Sequence, residues 1–535
     1  NHPAQLRRQD ETDPKSPEIQ ASSGNIVFYD AWPTSWPTLI VDIVNNHHSH
    51  YYTGRASKLD DQGLCNECEF PPDDPNAHPP GDWENPVPVY FLAVPEGQTF
   101  QFALGKWRDD VPDDLLELAL EWLIGALEYQ GAGAKTAAGY GAFQITEPPT
   151  VLGPPAQSPP VQIQPPQISG EKATQGPSAA WQKVKEKKLR CEFTCTLELV
   201  TPAFLAGAEQ GAKDCDLRPA TLRGLLRWWW RTMHAGHVDA RTRAQLESAV
   251  WGNTSLGAAV GIRIQPLSKI RCYLYDKKEI QKENELPSPP DKKTTPGLWY
   301  FSFGMDDVRR EENDQKRRFQ RYFFSPGTKW QIRLIARPSV YQIVNEKGKV
   351  IREIPLPDPQ ILLQQAEAAL WLLCQYGGVG SKSRKGYGCF ATPPELEPWT
   401  IDQCKRAGQE FRKICEITPT GPCGSPPLED LEDNELQVEI ATPWTNYWFV
   451  LDRIGAAAQE FAKRHKHSLA KKALGLPRNI GKPVRDSFQP GNHVQKTDRH
   501  ASPLLYHVVR LPDGNHTIRI VAFPSPELPS DPMRQ

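Results

Sequence analysis

Apolar and polar residues alternate in three short stretches that open similar segments of the chain: "VDIVNN" from Val41, "LELVTP" from Leu197 and "VEIATP" from Val438. Each carries one acid (Asp42, Glu198 or Glu439) within a period of two, the pattern of a strand with one face buried. A second unit recurs further on. "PVPVYFLAVPEGQTFQFAL" at 86–104 and "PLLYHVVRLPDGNHTIRIV" at 503–521 both read as strand, Pro-acid-Gly turn, strand. "FFSPGTKWQIRL" at 323–334 shares the turn and the second strand. Over 113–128 and 358–376 the apolar spacing changes to i, i+3, i+4, which predicts two helices with one buried face. Both helices run into a glycine-rich loop, after which "GAF" or "GCF" begins a last strand. Strand, connection, hairpin, helix, glycine loop, strand is the order of a β-α-β-β-α-β unit. The expected fold class is therefore α+β, with tandem ferredoxin-like (RRM-like) domains that carry glycine-rich loops. Three versions are expected. The first, about 24–147, lacks an obvious first helix, and the third, about 429–535, ends without the glycine loop.

The two loops are copies. "GAKTAAGYGAF" at 133–143 and "GSKSRKGYGCF" at 380–390 agree at Gly133 and Gly380, Lys135 and Lys382, both Gly-Tyr-Gly triplets, and Phe143 and Phe390. Glycine populates positive φ freely and leaves backbone N–H groups open, so such a loop can approach a phosphate or sugar closely. The other reading is a tight helix-to-strand connection with ordinary capping glycines. Lys382, Arg384 and Lys385 add charge in a window without acids, whereas the first loop has only Lys135 and is expected to be the weaker electrostatic site.

Composition allows large cores and marks the chain's joints. Of the 535 residues, 39% are hydrophobic and 24% charged, and the formal net charge is −2, so any basic surface must be local. Three or four domains fit that length. Residues 148–177 hold nine prolines, which predicts a semi-rigid tether, and "TPTGPCGSPP" at 418–427 is a second, shorter break. Asn1 to about Ser23 reads as a polar tail. Eleven scattered cysteines fit reduced thiols and a cytoplasmic location. No segment has the length of an apolar membrane span, and no export leader opens the chain. The first methionine is Met233, so the sequence is expected to start inside a longer reading frame.

Four further motifs bear on chemistry. In "LRPATLRGLLRWWWRTMH", Arg223, Arg227 and Arg231 recur every four residues and share one helix face, a candidate rail for RNA phosphates or else a solvated face. Leu222, Leu225, Leu226 and Trp229 face the core in this reading, and Trp228 and Trp230 are read as core rather than base-stacking residues. "AKRHKHSLAKK" at 462–472 is a second basic run, read as a solvated helix face or an RNA or partner contact. Cys65 and Cys68 form a C-x-x-C with His50 and His78 near in sequence, which would suit either a zinc knuckle or a reduced pair. No other cofactor is implied. Glu209, Asp214 and Asp216, with His234 and His237 near the end of the next helix, are carboxylates and imidazoles of the kind that act as general base when brought to a 2′-hydroxyl, a geometry that the sequence does not fix. The acids equally suit a helix N-terminus. The glycine loops follow a helix and precede a strand, the wrong order for a dinucleotide fingerprint, and no Walker loop is present.

Taken together these features resemble the RAMP superfamily of CRISPR effector proteins. "TPAFLAGAEQ" at 201–210, "LRPATLRGLLRWWWR" at 217–231 and "GGVGSKSRKGYG" at 377–388 look like subunit one of the type III-B (Cmr) complex. "IVFYDAWP" at 26–33, "VDIVNNHHSHYY" at 41–52, "GDWENPVPVYFLAV" at 81–94 and the first glycine loop look like the later part of subunit six. The resemblance implies a fusion: a tail at 1–23, a subunit-six-like RAMP domain at 24–147, a proline-rich linker at 148–185, and subunit-one-like RAMP domains at 186–395 and 396–535. It also implies a non-catalytic RNA-binding subunit that holds the 3′ region of the guide RNA (crRNA) and helps capture target RNA in antiviral defence. Its partners would be those RNAs and other Cmr subunits, with no membrane. The alternative is a metal-independent RAMP endoribonuclease that processes guide RNA. The residues expected at RNA are Lys135, Tyr140, Arg218, Arg223, Arg227, Arg231, Gly380, Ser381, Lys382, Ser383, Arg384, Lys385, Gly386, Tyr387 and Gly388.

Overall fold

The structure is a computed structural model. It describes residues 24–46, 51, 55–59, 65–69, 87–150, 190–208, 212, 215–253, 255–267, 272–275, 291–305, 308–312, 315–319, 321–345, 349–419, 428–431, 437–439, 444–465, 502 and 504–523. The chain divides into two compact units, one built from 1–38, 94–126 and 147–182, the other from 39–93, 127–146 and 183–535.

In the first unit β1 (Ile26–Phe28) pairs antiparallel with β8 (Leu104–Lys106), and β2 (Trp32–Pro33) with β7 (Phe100–Gln101). The helix α1 (Asp113–Gly125) follows, its first-turn Asp113 paired with Lys106 at 2.5 Å. An acid in the first turn also suits the positive end of the helix.

The second unit holds the remaining elements. Here β3 (Ile40–Asn46) pairs with β6 (Val87–Ala93), and β4 (Arg55–Leu59) with β5 (Cys65–Glu69). The Pro95-Glu96-Gly97 turn therefore does not close a hairpin: the strand before it pairs with "VDIVNN" and the strand after it pairs with β1 and β2. Alternation in the sequence identifies a strand's buried face but not the neighbour it bonds to. That is why the expected hairpin at 86–104 is replaced by other pairings. The corresponding turn at 512–514 does close one, since β19 (Leu504–Arg510) pairs along its length with β20 (His516–Ala522).

The central sheet has the order β10 (Val260–Pro266), β15 (Lys329–Ala336), β9 (Cys191–Glu198). Residues 389–391 run beside the end of β9, through Val200 N to Cys389 O at 2.8 Å and Ala391 N to Glu198 O at 2.9 Å. Alternate residues of β15, Trp330, Ile332 and Leu334, are buried. They meet Leu222, Leu226 and Trp230 of α2 (Pro219–His234) and Leu362, Leu370 and Leu373 of a later helix, Pro359–Tyr376, in one core. Between these lie α3 (Ala240–Trp251), β11 (Cys272–Leu274) paired with β14 (Tyr322–Phe324), and α4 (Pro296–Phe301). The hairpins β12–β13 (Val308–Glu312, Gln315–Phe319) and β16–β17 (Ser339–Val344, Val350–Leu356) complete that stretch. The Pro359–Tyr376 helix is α5, capped by Asp358. Past residue 395, α6 (Ile401–Ile414) still buries Cys404 and Phe411 in the same core.

A second three-stranded sheet, order β18 (Gln437–Glu439), β20, β19, repeats the order of the central one, with α7 (Tyr447–Arg464) following its first strand. α7 crosses α4 closely. Gly455 and Gly297 face each other with no room for a side chain, and Asp452 Oδ1 accepts from Gly297 N (2.9 Å) and Leu298 N (3.1 Å), capping α4. The 418–427 break and the linker beyond residue 150 lie largely outside the described residues.

Candidate nucleic-acid interface

The sequence copy is a conformational copy. Gly133 and Gly380 have φ of 91° and 82°, Gly139 and Gly386 95° and 80°, Gly141 and Gly388 64° and 71°. The loop lysines share the left-handed region, at 61° for Lys135 and 64° for Lys382. Few non-glycine residues sit there, so the loop geometry itself holds each lysine in place. The hydrogen bonds match in register: Ala132 N to Gly141 O (2.8 Å) with Val379 N to Gly388 O (2.9 Å), and Ala138 N to Lys135 O with Lys385 N to Lys382 O, both 2.8 Å.

The cations of the second loop have different surroundings. Arg384 donates to Ser502 O at 2.7 Å, while its own carbonyl accepts from Tyr506 N at 3.2 Å. Lys385 pairs with Tyr506 as a parallel bridge, and its ammonium lies 5.4 Å from the Tyr300 ring and 5.6 Å from that of Phe301. Lys382 is half-buried, and among the described residues its ammonium makes no ion pair. Burial and the neighbouring Arg321 hold its pKa below the ordinary lysine value. Lys382 and Arg321 thus bring two positive charges near one another, an arrangement that suits an anionic ligand. Ser381, next to Lys382 in the chain, is exposed, and Ser383 is half-buried. Gly380, Gly386 and Gly388 shape the loop, and Tyr387 is wholly buried, so its ring packs against Phe204 (5.2 Å) rather than facing a ligand.

Arginines expected to form a rail are engaged inside the protein. Arg227 Nε meets Glu247 Oε1 at 2.6 Å and Arg231 meets the same oxygen at 3.2 Å. Glu247 is buried and also accepts from the Tyr51 hydroxyl at 3.0 Å. Burial pushes its carboxyl up, but the two arginines outweigh that and hold it below the ordinary glutamate value. Arg223 donates to Trp251 O. Four-residue spacing sets a common face; that face is covered by α3, which the sequence spacing does not reveal. Trp229 and Trp230 are buried and Trp228 packs beside them, as the core reading requires.

Arg218 pairs with Asp42 and donates to Ile43 O at 3.0 Å. The Tyr140 hydroxyl donates to the other Asp42 oxygen at 2.6 Å; burial and that carboxylate push the phenol's pKa up. Lys135 lies 4.9 Å from the Phe91 ring. Sequence reasoning noticed Asp42 only as a strand acid, and it missed Arg263, which donates to Thr136 O of the first glycine loop at 3.3 Å. The lone acid in the apolar alternation of β3 was the signal for Asp42; Arg263 on β10 had none.

His234 is fully buried, stacked on Trp230 (4.2 Å) and bonded to Gln365 and Arg412, both at 3.2 Å. Burial, then Arg412, lowers its pKa well below the ordinary value. A core histidine of this kind is closed to a ribose. Asp216 Oδ1 accepts from Leu217 N (2.7 Å) in the segment before α2, whose N-cap residue, Arg218, makes no side-chain cap bond, so the acid does not cap the helix. Glu209, Asp214, His50 and His78 lie outside the described residues, as do the side chains of Cys65 and Cys68 on β5. Among the described residues no three His, Cys, Asp or Glu side chains cluster as a metal site. At the end of α7, Lys463 bonds Gln459 (3.2 Å) and Arg464 pairs with Glu460 (3.3 Å), an exposed helix face. No helix among the described residues is long and apolar enough to cross a membrane.

Known proteins match both parts of the chain. Residues 196–391, a stretch that contains α2, β10, β15 and the second glycine loop, match the family model of the RAMP superfamily. A 127-residue stretch, 23% of the chain, is 35% identical to CRISPR system Cmr subunit Cmr6 of Pyrococcus furiosus. A 203-residue stretch, 36% of the chain, is 27% identical to Cmr1-2 of that organism and spans 90% of it. Cmr1-1 is 24% identical over 324 residues, 58% of the chain and 80% of that protein. The chain thus joins a Cmr6-like and a Cmr1-like part, and it spans 31% of the length of its Cmr6 relative.

Proposed function

We propose that the chain is a non-catalytic RNA-binding subunit of a type III-B CRISPR (Cmr) effector complex, in which it holds the 3′ region of the guide RNA and helps capture target RNA. The observation that carries this reading is Lys382: a half-buried cation beside Arg321, held at positive φ in a glycine loop, with no ion-pair partner among the described residues. The likeness to Cmr1 and Cmr6 subunits supports the assembly partners. Tandem ferredoxin-like RAMP domains are the finer fold reading, supported by the shared order of the sheets β10-β15-β9 and β19-β20-β18.

A half-buried cation with no ion-pair partner among the described residues is kept at a cost to the fold. Lys382→Gln should therefore leave the melting temperature unchanged or raised while it weakens RNA binding. Each phosphate of a single strand that the protein ceases to neutralise flattens the salt dependence by about 0.7. Affinity across a salt series, with guide precursor RNA that is afterwards checked for cleavage products, measures both points. An unchanged slope removes the RNA site; specific products would favour the endoribonuclease alternative.

A further inference from the structure

Both glycine loops touch the same two elements of the module that follows them. A side chain at Gly139 would run into Pro219, the first residue of α2, and would come within 3.4 Å of Ile262 O on β10. A side chain at Gly386 would meet Leu451 of α7 at 2.9 Å and Val508 of β19 at 3.4 Å. In each case the partners are the helix after the first strand and the edge strand of a three-stranded sheet. The first loop is fastened at several points. Arg263 on β10 donates to Thr136 O (3.3 Å) and Tyr129 O (3.4 Å), and the Tyr129 ring lies 3.5 Å from Arg190 and 4.9 Å from Arg333. Asp42 and Tyr140 close on Arg218 at the start of α2.

We propose that the glycine loop is the coupling element of this array, seating each RAMP module on the next. The surface of Arg218, Pro219, Ile262 and Arg263 is then a receptor for a polypeptide loop of the form Gly-x-Lys-x-x-x-Gly-Tyr-Gly, whether or not a linker ties the two together. Its chemistry fits protein rather than RNA. It offers cations to backbone carbonyls and one carboxylate, and it excludes even a methyl group at Gly139. This goes beyond the RNA reading, which rests on the other loop's Lys382.

The test uses the full chain with a protease site placed in the proline-rich segment between 155 and 175, cleaved after purification. The two fragments should travel together through gel filtration at moderate salt. Arg218→Asp should weaken their association at least tenfold, and adding Asp42→Arg should restore it, which shows that loss was not misfolding. Gly139→Val should separate them with every charge in place. Fragments of the parent that part on cleavage would overturn the proposal. So would a nicked Arg218→Asp protein that stays associated but loses RNA affinity, since the surface would then be an RNA site.

Discussion

Replacing Glu247 by alanine should destabilise the second unit by about 3–5 kcal/mol, the usual cost of removing one partner from a buried ion pair. Glu247 is 1% exposed and is shared by Arg227, Arg231 and the Tyr51 hydroxyl. Without it, Arg231, whose side chain is 5% exposed, loses the carboxylate it is paired with at 3.2 Å. Arg227→Ala should cost less, because its side chain is 19% exposed and Arg231 still neutralises the carboxylate. The pH dependence has a definite sign. The folded pKa of Glu247 is depressed, so its contribution is complete above the unfolded glutamate value of about 4.3 and is lost as pH falls through the lower folded value. Thermal melts of parent and variant between pH 3 and 7 should converge at the acid end. Equal melts at pH 7 would show that the arginines do not depend on this carboxylate.

Gly388→Val carries the second large effect. Gly388 has φ 71°, and a side chain there would collide with Val379 O, the carbonyl of the residue whose N–H closes the loop on Gly388 O. A β-branched residue in that region is strained by roughly 1–3 kcal/mol before any clash is counted. The loop must therefore open, and with it the pairing of residues 389–391 beside β9. RNA affinity should fall although no charge has changed, and protection of the 377–391 amides against hydrogen exchange should drop. Full affinity with a normal exchange pattern would mean that the loop geometry plays no part in binding.

The sequence made some of this visible and hid the rest for identifiable reasons. The repeat at 133–143 and 380–390 is legible because a left-handed backbone admits few residue types, so conserving the turn conserves its letters. Helices α1 and α5 and the β19–β20 hairpin follow from periodicity. The role of Arg223, Arg227 and Arg231 does not, because spacing places them on one face without saying that Glu247, sixteen residues beyond Arg231, covers it. Arg321 beside Lys382 was equally out of reach, being 61 residues away in sequence and carried by no motif. Asp42 was noticed as a strand acid, but its partner Arg218 lies 176 residues on. Long-range charge pairs are set by topology, which periodicity does not encode.

Crosslinking of bound guide RNA in the assembled ribonucleoprotein, followed by mass spectrometry of the crosslinked peptides, tests the central claim most directly. The account predicts an RNA adduct on the 380–388 peptide, at Lys382 or its exposed neighbour Ser381, and none on Arg227 or Arg231, which are bound to Glu247. Adducts on α2 with none on the second glycine loop would contradict it.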